Sequence, residues 1–155
     1  MRTRAALELT AHHEAGHVVA GHLLGLTLLG ADLDPDPQGG LGHTQFAPSS
    51  RRDREFVEAV VTAYLAGFVA ESRQAGSEAW DGAGFDLQES TQDWLALDQD
   101  PTESVPDRLR RLRERAEGVL ASNWALVDAV AAGLLAEHRL PSARLIETMK
   151  LADPA

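Results

Sequence analysis

Apolar and polar positions alternate along most of this chain with the period of an α-helix. Between Ala5 and Leu24, residues Leu9, Val18, Val19, Leu23 and Leu24 form an apolar flank, and Gly16 and Ala20 allow close packing. Two apolar runs follow, 26–33 and 41–46, separated by the turn-rich Asp34-Pro35-Asp36-Pro37-Gln38-Gly39-Gly40. That pattern predicts a β-hairpin with a long loop. From Arg54 to Arg73, Phe56, Val60, Tyr64 and Phe68 lie on one stripe and Val61 and Leu65 on the adjoining one, so a second core helix is expected. Residues 76–84 read as a loop, and Phe85 to Asp98 as a further helix. The polar, proline-punctuated segment 98–106 reads as a mobile connection. Beyond it, Leu109, Leu112, Ala116, Val119 and Leu120 make one helical stripe, and Leu126, Val130 and Leu134 another. Ser142 is expected to cap a short final helix running to Leu151. The expected fold is mainly α with a small β-hairpin or sheet, one domain over 1–155. Within it, residues 1–97 form a first half, 98–106 the connection and 107–155 the C-terminal helices.

Composition narrows the function classes. The 155 residues suffice for a real core, and 44% apolar with 25% charged residues is the balance of a soluble globular domain. The 14 basic and 24 acidic residues leave a formal charge of −10, which disfavours nucleic acid or an anionic membrane as partner. Arg108, Arg110, Arg111, Arg113 and Arg115 are dense, but with Glu114 and Glu117 beside them they read as a solvated helix face. The most apolar stretch, 18–33, is interrupted by His22 and three glycines and is too short to cross a bilayer. No apolar h-region follows the basic N-terminus. No signal peptide and no membrane segment are therefore expected, and the cytoplasm is the expected location. Absence of cysteine excludes disulfides, thiolate zinc sites and a cysteine nucleophile. The single lysine, Lys150, has no glycine-rich loop before it, which excludes a phosphate-binding loop and a nucleotide held by one.

The candidate chemistry sits in the first helix, where His13-Glu14-Ala15-Gly16-His17 is an HExxH box. Residues four apart share a helix face, so His13 and His17 can offer two imidazoles to one metal ion. Two neutral imidazoles suit Zn2+, one ion per chain, and a third protein ligand would leave a position open for water. Glu14 is close enough to act as general base on that water, which makes a zinc peptidase the simplest reading. A half-buried helix carrying these polar groups needs a reason, because buried polar groups are costly without partners. Spacing leaves the third ligand open among Glu58, Glu71, Asp81, Asp86, Glu89 and His43. Glu71 ends an apolar helix and Asp86 follows a glycine-rich loop. Either could be the ligand, with the other orienting a histidine from behind.

Four segments carry a family resemblance. Ala11 to Ala20 resembles the active-site helix of the FtsH-type AAA zinc metalloproteases. Leu41-Gly42-His43-Thr44-Gln45-Phe46-Ala47-Pro48 is similar to that family's Leu-Gly-Tyr-Thr strand. Leu65-Ala66-Gly67-Phe68-Val69-Ala70-Glu71 is similar to its Leu-Gly-Gly-Arg-Ala-Ala-Glu helix, and Asp81 to Leu87 to its Thr-Gly-Ala-Ser-Asn-Asp-Leu segment. The resemblance implies that family's peptidase-domain fold, with His13, His17 and Asp86 as zinc ligands, Glu14 as general base and Glu71 behind the ligands. It further implies a peptide or unfolded protein as substrate, docking as a strand beside Gly42, His43, Thr44 and Gln45. Phe85, Phe68 and Ser72 depart from the family's Asn, Arg and second Glu. With the box a dozen residues from Met1, no ATPase module is expected, so the implied peptidase would be ATP-independent, acting alone or fed by a separate ATPase. Monomer, dimer and hexamer stay open. The alternative is a zinc-binding interaction or regulatory module that keeps the fold without proteolysis; Glu14, which a structural zinc site does not require, argues against it.

Overall fold

Thr3 opens the first helix, α1 (Arg4–Leu23): its Oγ1 accepts the Ala6 N–H at 3.1 Å, satisfying a donor that the first turn leaves unpaired. The helix stops at Leu24, and Gly25 turns the chain away at φ 87°, a conformation open to a residue without a Cβ. In the computed structural model, residues 2–37, 40–76, 91–98 and 100–153 are described. Their architecture is mainly helical with a small antiparallel sheet.

The second long helix, α2 (Arg54–Ala75), is capped by Asp53, whose carboxylate accepts the Phe56 N–H, and it ends at Gly76 in the left-handed region. It packs closely against α1. A Cβ on Gly16 would run into the Ala66 carbonyl and the Ala70 methyl, so glycine there sets the approach of the two helices. Val18 and Val19 of α1 and Val57, Val61, Leu65 and Ala66 of α2 fill the space between them, all nearly sealed from solvent.

Strands β1 (Leu28–Asp32) and β2 (His43–Phe46) form the expected hairpin, antiparallel, with Ala31 opposite Thr44 and a register shift between Leu28 and Gly30. The sheet has a third member, β3 (Arg139–Pro141), pairing antiparallel with the other side of β1. Sequence reading missed β3: three residues ending in proline carry no alternation, and only long-range pairing makes them a strand. The order β2-β1-β3 leaves β2 at an edge beside α1, where Gly21 makes room for the Phe46 ring.

Helices α3 (Val105–Ser122), α4 (Trp124–Glu137) and α5 (Ser142–Ala152) complete the chain. Leu112, Ala116 and Leu120 of α3, Val127, Val130 and Leu134 of α4 and Leu145 of α5 join the cluster that α1 and α2 begin, so both halves of the sequence share one core. The cap of α5 differs from expectation. Pro141 holds the N-cap position, Ser142 is already helical, and no side chain caps this end.

Described residues of segment 98–106, read above as a mobile connection, are paired with arginines of the neighbouring helices. Arg108 is 3% exposed and donates to Glu58 at 2.9 Å and to the Asp98 carboxylate at 2.9 Å. Arg111 bridges Glu58 and Glu103, and Arg54 reaches Asp100 at 2.8 Å. Carboxylates that looked like solvated linker residues are anchored by arginines from two helices. Arg108, assigned above to a solvated face, is instead among the most buried charges of the described residues, tolerable because it is paired with Glu58 and Asp98. Burial pushes the Glu58 carboxyl up, but hydrogen bonds from Arg111 and Arg108 outweigh it and hold the group below its ordinary value. Among the described residues, no single helix is long and apolar enough to cross a membrane.

Candidate metal centre

The HExxH box lies in the middle of α1, on the side packed by α2 and β2. His13 and His17 stand one turn apart with ring centroids 4.7 Å from each other and planes at 82°. Each ring is oriented by α2. Nδ1 of His17 lies 2.7 Å from the Ala63 carbonyl oxygen. A carbonyl can only accept, so Nδ1 carries the proton and the neutral ring keeps its lone pair on Nε2. Nδ1 of His13 lies 2.8 Å from Oε2 of Glu71, and the same logic applies: the imidazole donates and the carboxylate accepts. Burial, and then the neighbouring His13, push the His17 ring down to about 3, so it is neutral across the physiological range. Imidazoles with Nδ1 turned to a protein acceptor are the arrangement that metal-binding histidines favour, and imidazole donors of this kind suit zinc.

Gly67 is part of the same device. A Cβ at that position would overlap the His17 ring, so the imidazole lies directly on the α2 backbone. Phe68 meets His13 edge to face at 4.7 Å, and Tyr64 stands beside His17 at 6.1 Å, giving the histidine pair an aromatic wall on the α2 side.

Glu14 turns towards the sheet. It is 5% exposed, and its Oε2 accepts the Thr44 hydroxyl at 2.6 Å. Gly42 comes so close that a Cβ there would stand 3.0 Å from the Glu14 Cγ. Burial raises the Glu14 carboxyl above its ordinary value, a shift that His13 and the Thr44 hydrogen bond only partly oppose. A carboxylate with a raised pKa is a stronger proton acceptor than one in water, which is what a general base requires.

The other residues singled out from sequence have distinct places. Glu71 is the acceptor behind His13. Glu58 is taken by arginines. His43 is held between Asp32 at 3.0 Å and Asp36 at 3.2 Å, and those two hydrogen bonds, the first the stronger influence, raise its pKa. In β2 the Thr44 side chain points at Glu14, whereas Gln45 is exposed. Asp86 lies outside the described residues, as do Asp81 and Glu89. Among the described residues no group of three His, Cys, Asp or Glu side chains converges on one point; what α1 presents is a pair of neighbouring imidazoles, with the Glu14 carboxylate turned to Thr44.

Sequence reasoning missed three contributors: Gly67 as the seat of a ring, the Ala63 carbonyl, and Thr44 as the partner of Glu14. Only Gly67 left a signal, since glycine inside a helix costs about 1 kcal/mol relative to alanine and needs a compensating reason. Backbone acceptors and cross-element hydroxyl contacts leave none. Compared with known families and with curated proteins, the chain matches no family and no individual protein.

Proposed function

We propose that this chain is a zinc metallopeptidase with the peptidase-domain fold that the FtsH-type resemblance implies. The observation that supports it most is the anchoring of both histidines: His13 Nδ1 is committed to Glu71 and His17 Nδ1 to the Ala63 carbonyl, so neither bond uses Nε2, on a helix that also carries a buried carboxylate. His13 and His17 would hold the ion, with Asp86 as the third ligand by resemblance. Glu71 and the Ala63 carbonyl keep the rings from turning. A zinc ion held there supplies Lewis-acid polarisation of a carbonyl and acidifies water. Glu14 accepts the proton from the attacking water and returns it to the leaving nitrogen. The substrate is a peptide or an unfolded chain, paired as an added strand on the β2 edge at Gly42 to Gln45, where main-chain hydrogen bonds serve many sequences. With no phosphate-binding loop in these 155 residues, none of these steps uses nucleotide.

A second reading, a zinc-binding module without proteolysis, draws on Phe68, an aromatic ring against His13 where the resembling family has arginine. One comparison separates the two: zinc content and cleavage of fluorogenic unfolded casein by the native chain and by Glu14→Gln. One zinc per chain in both proteins, with cleavage by the native chain alone, supports the peptidase. Zinc in both with cleavage by neither supports the module, and absence of zinc from the native chain defeats both.

A further inference from the structure

We infer that Thr44 is a positioning residue for Glu14, its hydroxyl fixing one carboxylate oxygen so that the other is presented as the proton acceptor. The inference rests on the peptidase reading above and assigns a role to a residue otherwise counted only as part of the substrate strand.

The geometry is specific. Thr44 Oγ1 has one proton and two acceptors within reach, Oε2 of Glu14 at 2.6 Å and the Glu14 backbone oxygen at 3.3 Å. The shorter, charge-assisted contact takes the proton. Among the described residues Thr44 is the one hydrogen-bond partner of the Glu14 carboxylate, and it holds Oε2, not Oε1. The last side-chain torsion of a glutamate is broad, because rotation of a planar carboxylate about an sp³–sp² bond has no sharp staggered wells. The packing of Gly42 on Cγ fixes the stem of Glu14 but not the plane of its carboxylate. Thr44 supplies what the stem lacks. The backbone that carries the hydroxyl is fixed in the sheet, where Thr44 is paired with Ala31. The base is therefore carried by α1 but aimed by β2, the strand on which substrate would dock.

The alternative is that Thr44 merely satisfies a buried carboxylate, as any donor would. The two roles predict different results for an isosteric pair of variants. Thr44→Val keeps the shape and removes the hydroxyl; Thr44→Ser keeps the hydroxyl and removes a methyl. The full chain, zinc-loaded, is assayed on fluorogenic unfolded casein, and the metal-free native, Val and Ser proteins are crystallised to read the orientation of the Glu14 carboxylate. A positioning role predicts that Val lowers kcat by about ten- to a hundredfold, the scale of a misplaced catalytic group. KM should move by less than about twofold, because the lost interaction belongs to the chemical step. Ser should recover most of kcat, and in crystals the Glu14 carboxylate should keep its orientation in the native and Ser proteins and turn in Val. A native enzyme that cleaves together with a Val variant of equal kcat would overturn the inference. So would a Ser variant as impaired as Val. If the native chain does not cleave, the peptidase reading fails, and the crystals alone decide the positioning: an unmoved Glu14 in Val overturns it, a turned one upholds it.

Discussion

The imidazole of His17 lies where a Cβ on Gly67 would stand. The contact joins the middle of α1 to the middle of α2, and it makes a glycine inside a helix a requirement of the site. Gly67→Ala brings two opposed effects on stability. Helix propensity favours alanine by about 1 kcal/mol, while overpacking costs about 1–3 kcal/mol. The melting temperature should therefore fall only slightly. The ring, pushed off the Ala63 carbonyl, should bind zinc at least about tenfold more weakly, the scale seen when an orienting partner is lost. Competition titration with a chelator of known affinity checks this, and undiminished affinity would refute the role given to Gly67.

Glu71 contacts His13, so under the proposed function its influence on zinc would run through that ring. Glu71→Ala frees the His13 ring and should lower zinc affinity by about 10- to 100-fold. Glu71→Gln keeps an acceptor oxygen, loses the charge, and should fall between the native protein and Ala. Equal affinities for all three would show that α2 does not orient His13.

Acid should destabilise the zinc-free protein through His17. The folded ring stays neutral down to about 3, whereas the unfolded ring takes up a proton near its ordinary 6.5. Between those values the unfolded state binds the extra proton, so stability falls as pH falls, by roughly 1.4 kcal/mol per pH unit for one proton. Glu58 acts in the same direction below its unfolded value of 4.5, because its folded pKa lies lower and its stabilisation is lost as it protonates. Urea unfolding of chelated protein from pH 7 to pH 4 should show the slope, which Glu14, its folded pKa raised, partly opposes, and His17→Leu should flatten it above about pH 5, where Glu58 contributes little.

Arg108 and Glu58 form the most buried ion pair in the described fold. Arg108→Met leaves Glu58 with Arg111 but removes its enclosed partner, and should cost about 3 kcal/mol, the lower end for breaking a buried pair. Adding Glu58→Leu should return much of that loss, since an apolar pair avoids the desolvation of two charges. Equilibrium denaturation of the single and double variants gives the numbers. A single variant as stable as the native chain would mean that Arg111 alone satisfies Glu58.

The long elements were legible because their signals are local. The apolar period of α1, α2, α3 and α4 and the proline and glycine cluster between β1 and β2 lie in the residues themselves. The HExxH box was legible for the same reason: both histidines and Glu14 fall within five positions of one helix. What escaped depends on residues far apart in sequence. β3 is a strand only because β1 offers it an edge. Arg108 looks solvated until Glu58, fifty residues earlier and on another helix, is found beside it. Thr44 gives no hint of its partner thirty residues away, and the Ala63 oxygen that fixes His17 is backbone, which no side-chain pattern can report.

Orientation of both histidines by α2 limits what the HEAGH pentapeptide can do in isolation. Grafted onto an unrelated helix, it would carry the donor atoms but neither the tautomer nor the rotamer that makes them useful. Each ring would divide its time between Nδ1–H and Nε2–H forms, and metal would have to select one arrangement from many. The smallest portable unit of this site is a helix pair, α1 with the 63–71 stretch of α2. A designer seeking to transplant the centre would need to move Ala63, Gly67 and Glu71 together with the box.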